Sequence, residues 1–124
     1  MAKQVNNPKT VLVVDGSHIS RLMLRAIIEN YHGDWQVMEA DEAAEARRIA
    51  ESNAIDFIVL DFTMPGIDDL SVAAMLKHSC PQAKMALLTG HLQEGVRVKA
   101  ENEGALFIPR PVSEEKILSF IASS

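Results

Sequence analysis

Apolar and polar positions alternate in blocks along this 124-residue chain, and the blocks change period. Thr10–Val14 is short, apolar and rich in valine, which predicts a buried parallel strand. Ile19, Leu22, Met23, Ala26 and Ile27 then recur at i, i+3, i+4, i+7 and i+8. That spacing predicts a helix with this face turned inward, with Gly33 just beyond its end. Trp35–Ala40 alternates as a second strand. Asp41 is placed to cap a second helix whose Ala43, Ala46, Ile49 and Ala50 face the core. Ile55–Phe62 is the third strand and the most apolar. Asp68 or Asp69 is placed to cap the next helix, which Pro81 ends. Lys84–Thr89 reads as a fourth strand. Leu92–Glu103 is a weaker helix, with Gly95 near its start and Gly104 as its stop. Ala105–Ile108 is a short fifth strand, and Ser113 caps a last helix burying Ile117, Phe120 and Ile121.

Five strand–helix units in this length predict an α/β domain, a parallel sheet with helices on both faces. There is no repeat, no low-complexity segment and no room for a second core. Residues 1–9 read as a polar lead-in and 10–124 as the domain. Ligands of such sheets bind at the carboxyl ends of strands, near the switch in strand order. Two strands end there in acids. Val11–Val14 runs into Asp15, and the third strand carries Asp61 before Thr63-Met64-Pro65-Gly66 breaks the chain. A buried carboxylate without a partner costs several kcal/mol or more, so each acid needs a cation or donors nearby. Thr89 ends the fourth strand at the same edge, and Arg110 follows the fifth.

Composition narrows the chemistry. A hydrophobic content of 48% places the chain among globular proteins. A formal net charge of −5 argues against direct nucleic-acid binding, which needs a basic face. No apolar run approaches the ~20 residues of a membrane span, and Met1–Pro8 lacks the apolar core of a signal peptide. Cys80 is the sole cysteine, so an internal disulfide is impossible. These features predict a cytoplasmic protein. His18 and His91 fall in loops at the site edge, and His32 and His78 have no metal-site spacing.

Two acids at one edge suit a hard divalent cation such as magnesium. A carboxylate beside such an ion can also act as a nucleophile and form an aspartyl phosphate. Thr89 then offers a hydroxyl, and Arg110 a charge-assisted fork, to phosphoryl oxygens.

From Thr10 to Ser124 the chain resembles a receiver domain of a two-component response regulator. The resemblance rests on the Val-Val-Asp15 strand end, Leu60-Asp61-Phe-Thr-Met-Pro65-Gly, Leu88-Thr89-Gly90, Gly104-Ala105 and Arg110-Pro111, in that order. It implies a doubly wound, flavodoxin-like (βα)5 sandwich with strand order 2-1-3-4-5 and a cis Arg110–Pro111 bond. It implies Asp61 as phosphoacceptor, with Thr89 and Arg110 assisting. Asp15, Asp61 and the Thr63 backbone carbonyl would hold Mg2+, and Thr89 and Phe107 would form the pair that shifts on phosphorylation. The implied partners are a histidine kinase or phosphotransfer protein and a downstream protein target, with weak homodimerisation as a further expectation. Such a domain is a signalling phosphoacceptor, not an enzyme beyond weak self-catalysed phosphotransfer and dephosphorylation.

Three departures stand against the pattern. Gly16 occupies the place of the second acid, the family's usual direct metal ligand, which predicts weakened or absent magnesium. Arg110 occupies the place of the usual lysine, and the interval from Gly104 to it is one residue short. Asp69 replaces a usual glycine. Asp15-Gly16 is also a good turn pair. A pseudo-receiver of the same fold, binding protein without phosphorylation, is therefore the alternative reading. A small enzyme or flavin binder of the same topology is a weaker one, because Asp15-Gly-Ser-His-Ile-Ser makes a poor phosphate cradle.

Overall fold

The computed structural model describes residues 8–64, 70–90, 94–102 and 104–122. The strands are β1 (Thr10–Val14), β2 (Gln36–Ala40), β3 (Phe57–Asp61), β4 (Lys84–Thr89) and β5 (Ala105–Pro109). The helices are α1 (His18–Tyr31), α2 (Ala43–Ser52), α3 (Ser71–Ser79), α4 (Glu94–Asn102) and α5 (Glu114–Ile121). All strand pairs are parallel, and the order is β2-β1-β3-β4-β5, as expected.

Alternation along the strands divides the interior in two. Leu12, Val14, Ile58, Leu60, Met85 and Leu87 face α2, α3 and α4, meeting Ala46, Ala50, Ala73, Leu76 and Ala100. Val11, Val13, Phe57, Val59, Ala86, Leu88 and Ile108 face α1 and α5, meeting Leu24, Ile28, Ile117, Phe120 and Ile121. β1 and β3 are apolar on both faces because helices cover both, the parallel-sheet condition. Each fully buried Leu or Ile here contributes roughly 1.5–3 kcal/mol of transfer free energy.

Helix α1 departs from most of the expected face, of which Ile27 alone packs, partly buried, against the core. Ile19, Leu22 and Met23 are 76%, 49% and 46% exposed, and Ala26 is exposed too, while Ser20, Leu24 and Ile28 are buried. The buried stripe begins at Ser20, a polar residue that a hydrophobic pattern skips, and continues through Leu24 and Ile28. Arg21 and Arg25 flank that stripe and pair with Glu39 of β2 at 2.9 and 2.7 Å. Arg25 also donates to the Val37 carbonyl at 2.8 Å, so polar bonds, not an apolar face, fix that side of α1.

The caps are partly as expected. Ser113 accepts from the Lys116 amide at the start of α5. Glu42, not Asp41, holds the first position of α2, and the Glu45 carboxylate reaches back to the Asp41 amide. Leu70 holds it in α3, with no side-chain cap; Asp68 and Asp69 lie outside the described residues. Residues 1–7, His91, Leu92 and Glu103 lie outside them too. Gly104 has φ +89°, a conformation that favours glycine, and donates to the Glu101 carbonyl as the chain leaves α4. No described helix is long and apolar enough to cross a membrane.

Candidate functional site

The site grows from the carboxyl ends of β1 and β3. Their register pairs Val14 with Leu60, so Asp15 and Asp61 come next, side by side on neighbouring strands. Both are buried, at 1% and 6% exposure. The backbone fixes these ends: the Asp15 amide donates to the Ala40 carbonyl and the Phe62 amide to the Leu88 carbonyl.

Asp15 is held by three donors. Its Oδ1 accepts from the Ser17 amide at 2.9 Å. Its Oδ2 accepts from the buried Ser20 hydroxyl at 2.5 Å and from Arg110 Nη2 at 3.2 Å. Ser17 also caps α1, accepting from the Ser20 amide at 3.2 Å, so one turn of chain aims both groups at the acid. Arg21 donates to the Asp15 carbonyl at 2.7 Å and ties that turn to Glu39.

Asp61 takes its donors on one oxygen. The Thr63 amide (3.0 Å), the Thr63 hydroxyl (2.6 Å) and Arg110 Nη2 (3.1 Å) all meet Oδ1. The amide contact is the Asx-turn arrangement that an aspartate at a strand exit favours. Burial pushes the Asp61 carboxyl up, but the bonds from Thr63 and then Arg110 outweigh it and hold the group below its ordinary range. Burial likewise lowers the Arg110 guanidinium, and pairing first with Asp61 and then Asp15 raises it overall.

Arg110 reaches both acids because β5 delivers it there: its amide donates to the Thr89 carbonyl at 2.9 Å, and the following Pro111 bond is cis, as expected. Its side chain is 30% exposed, and Nη2 alone serves both carboxylates. The buried Nε–H has no partner among the described residues. Thr89 is buried at the end of β4. Phe107 is half-buried on β5, two register steps before the Thr89–Pro109 pair, with its ring edge-on to Phe62 at 6.3 Å and 88°.

The structure thus brings Asp15, Asp61, Thr63 and Arg110 into direct contact, and places Thr89 on the neighbouring strand. The sequence pattern brought Ser17 and Ser20 in only as part of a poor phosphate cradle, not as the groups that hold Asp15. The one available signal was Ser17 at the start of a helical run with Ser20 three residues on. It also took only the backbone of Thr63 into account, whereas amide and hydroxyl both bind Asp61.

Comparison with known proteins decides the family. The model of the response regulator receiver domain matches residues 11–122. The chain belongs to that family. This receiver domain is 31% identical over 110 residues to the chemotaxis protein CheY of Listeria monocytogenes, covering 87% of this chain and 91% of that protein. It is 29% identical over 114 residues to response regulator UvrY of Escherichia coli, covering 91% of this chain but 52% of UvrY. The chain therefore spans about half the length of that relative. A CheY-like receiver domain from Methanospirillum hungatei superposes with a TM-score of 0.83 at 22% identity, over 94% of this chain and 92% of that one, and so shows the fold. A response regulator from Burkholderia pseudomallei, solved with a phosphorylated aspartic acid and a calcium ion, gives 0.80 at 27% identity, over 93% of this chain and 67% of that one. Receiver domains are signalling domains of two-component systems rather than classical enzymes, and they generally bind Mg2+ at the acidic pocket. In this receiver domain the residue after Asp15 is glycine, and among the described residues no group of three or more His, Cys, Asp or Glu is placed to hold a metal ion.

Proposed function

We propose that this domain accepts a phosphoryl group on Asp61 from a histidine kinase or phosphotransfer protein and passes the signal on by protein contact. One observation carries the reading. Every described donor to Asp61 meets Oδ1, which leaves Oδ2 as the oxygen that can attack phosphorus. A carboxylate held ionised is a competent nucleophile. The Burkholderia pseudomallei relative, with its phosphorylated aspartic acid, supports the same chemistry on a related fold.

Each neighbour has a role in this reading. Thr63 clamps Oδ1 and so orients the carboxylate. Arg110 neutralises charge, and its unpaired Nε–H lies on the same guanidinium edge as Nη2, ready for an incoming phosphoryl oxygen. Thr89 supplies a hydroxyl at the end of β4, and Phe107 on β5 is the aromatic group whose packing responds. The exposed Ile19, Leu22 and Met23 start at the same edge, on the helix that follows Asp15, and form a face for the phosphoryl donor protein. Bound Mg2+ would supply further neutralisation of phosphoryl charge. The residues present fit it poorly: Asp15 already carries three donors, one of them cationic, and Gly16 offers no ligand. Magnesium binding is therefore weak, and the reading relies on this chain's own groups.

The pseudo-receiver reading draws on the same contacts: an Asp15–Arg110–Asp61 cluster that is closed on itself can serve as scaffold. Incubation with acetyl phosphate and excess magnesium, followed by intact mass, separates the two. Gain of one phosphoryl group, lost in Asp61→Asn, supports phosphotransfer; no gain at saturating donor supports the scaffold.

A further inference from the structure

We propose that Arg110 is a built-in cation that holds the place a divalent metal takes between the two acids, so that this receiver domain keeps its acidic pocket together without metal. The observations are geometric. One nitrogen, Nη2, lies 3.2 Å from Asp15 Oδ2 and 3.1 Å from Asp61 Oδ1, bridging two carboxylates from adjacent strands. A shared point of positive charge between two buried acids is what a hard cation otherwise provides.

The surroundings commit Asp15 to this arrangement. The Ser20 hydroxyl occupies the oxygen that Arg110 binds, and the Ser17 amide occupies the other. Both oxygens of Asp15 are thereby directed at donors, in an orientation fixed from the first turn of α1. Arg21 holds the carbonyl of the same residue and is itself anchored on Glu39. Gly16 adds no competing acid, so one guanidinium faces two carboxylates where a receiver with two adjacent acids would present three. Magnesium demands near-ideal octahedral oxygen ligation and gives up its water reluctantly. To bind here it must displace the guanidinium from both acids and then sit beside an unpaired, half-buried cation.

Competition between Arg110 and the metal is therefore testable apart from phosphorylation. Magnesium chloride is titrated calorimetrically into the wild-type domain and into Arg110→Gln, which keeps polarity and removes charge. The expected result is about tenfold or tighter binding by the variant, on the scale by which such partners tune metal sites. In addition, the variant's unfolding midpoint rises with magnesium while that of the wild type stays fixed. Equal or weaker binding by the variant overturns the proposal. Should Arg110→Gln fail to fold, the wild-type domain carries the test. The Arg110 Nε and Asp61 Cγ resonances are followed against magnesium: no saturable change up to roughly millimolar ion supports the bridge, and saturation in that range with release of Arg110 overturns it. No phosphoryl donor is present, so this result is independent of whether Asp61 is a phosphoacceptor.

Discussion

Replacing Asp15 by asparagine removes a buried charge while keeping the side chain's shape. Asparagine offers one acceptor oxygen where aspartate offers two. If that oxygen stays on the Ser17 amide, the new NH2 group meets Arg110 Nη2, donor against donor, and the Ser20 hydroxyl loses its charged acceptor. Hydrogen bonds to charged groups are worth ~1.5–3 kcal/mol each. The Ser20 bond is fully buried and counts near that range, whereas the Arg110 contact is discounted because its side chain is 30% exposed. The net loss expected is about 2–3 kcal/mol. With a urea slope of roughly 1–3 kcal/mol/M, the midpoint falls by about 0.7–3 M and the slope is unchanged. Trp35 reports the transition, since it stacks on His32 at 4.0 Å and on Phe57 at 5.7 Å, at the edge of the α1–α5 core. Ser20→Ala should cost roughly 1–2 kcal/mol alone and much less in the Asp15→Asn background, because the two groups are direct partners. A loss below about 0.5 kcal/mol for Asp15→Asn, or equal Ser20→Ala costs in both backgrounds, refutes the idea that this acid is held by its donors.

Two further outcomes follow from the same contacts. A Cβ at Gly16 would meet only Met64 Cγ at 3.8 Å, an ordinary contact, so Gly16→Asp should fold and raise magnesium affinity by about 10–100-fold in calorimetry; an unchanged affinity contradicts the account of the missing acid. Asp61 is depressed in the folded state, so its contribution is present above the ordinary aspartate value of ~3.9 and is lost as pH falls through its lower folded value. Stability should therefore drop on acidification below about pH 4, with a slope shallower by up to about one proton in Asp61→Asn; identical slopes contradict the pairing.

The fold was legible because the strands are apolar on both faces and the helices switch to a period near 3.6, as in Val11–Val14 and in Ile117, Phe120 and Ile121. Strand order came from the family resemblance. Helix α1 was misread because hydrophobic pattern alone assigns Ile19, Leu22 and Met23 inward, whereas bonds from Ser20 to Asp15 and from Arg21 and Arg25 to Glu39 set its rotation. No single-residue preference encodes such partners, which lie five to eighteen residues away. Asp41 failed as a cap because Glu42 holds the first position of α2. At the site, Asp15, Asp61 and Arg110 were legible as strand-end charges that needed compensation. What escaped was the pattern of compensation: one guanidinium nitrogen shared by both acids, and the Ser20 hydroxyl committed to one of them.

The most direct test of the central claim is the intact mass of the domain after exposure to acetyl phosphate with magnesium in excess, with Asp61→Asn as control. One added phosphoryl group is expected on the wild-type chain, labile to base as an acyl phosphate, and none on Asp61→Asn. An unmodified wild-type chain at saturating donor, or equal modification of Asp61→Asn, contradicts phosphorylation at Asp61.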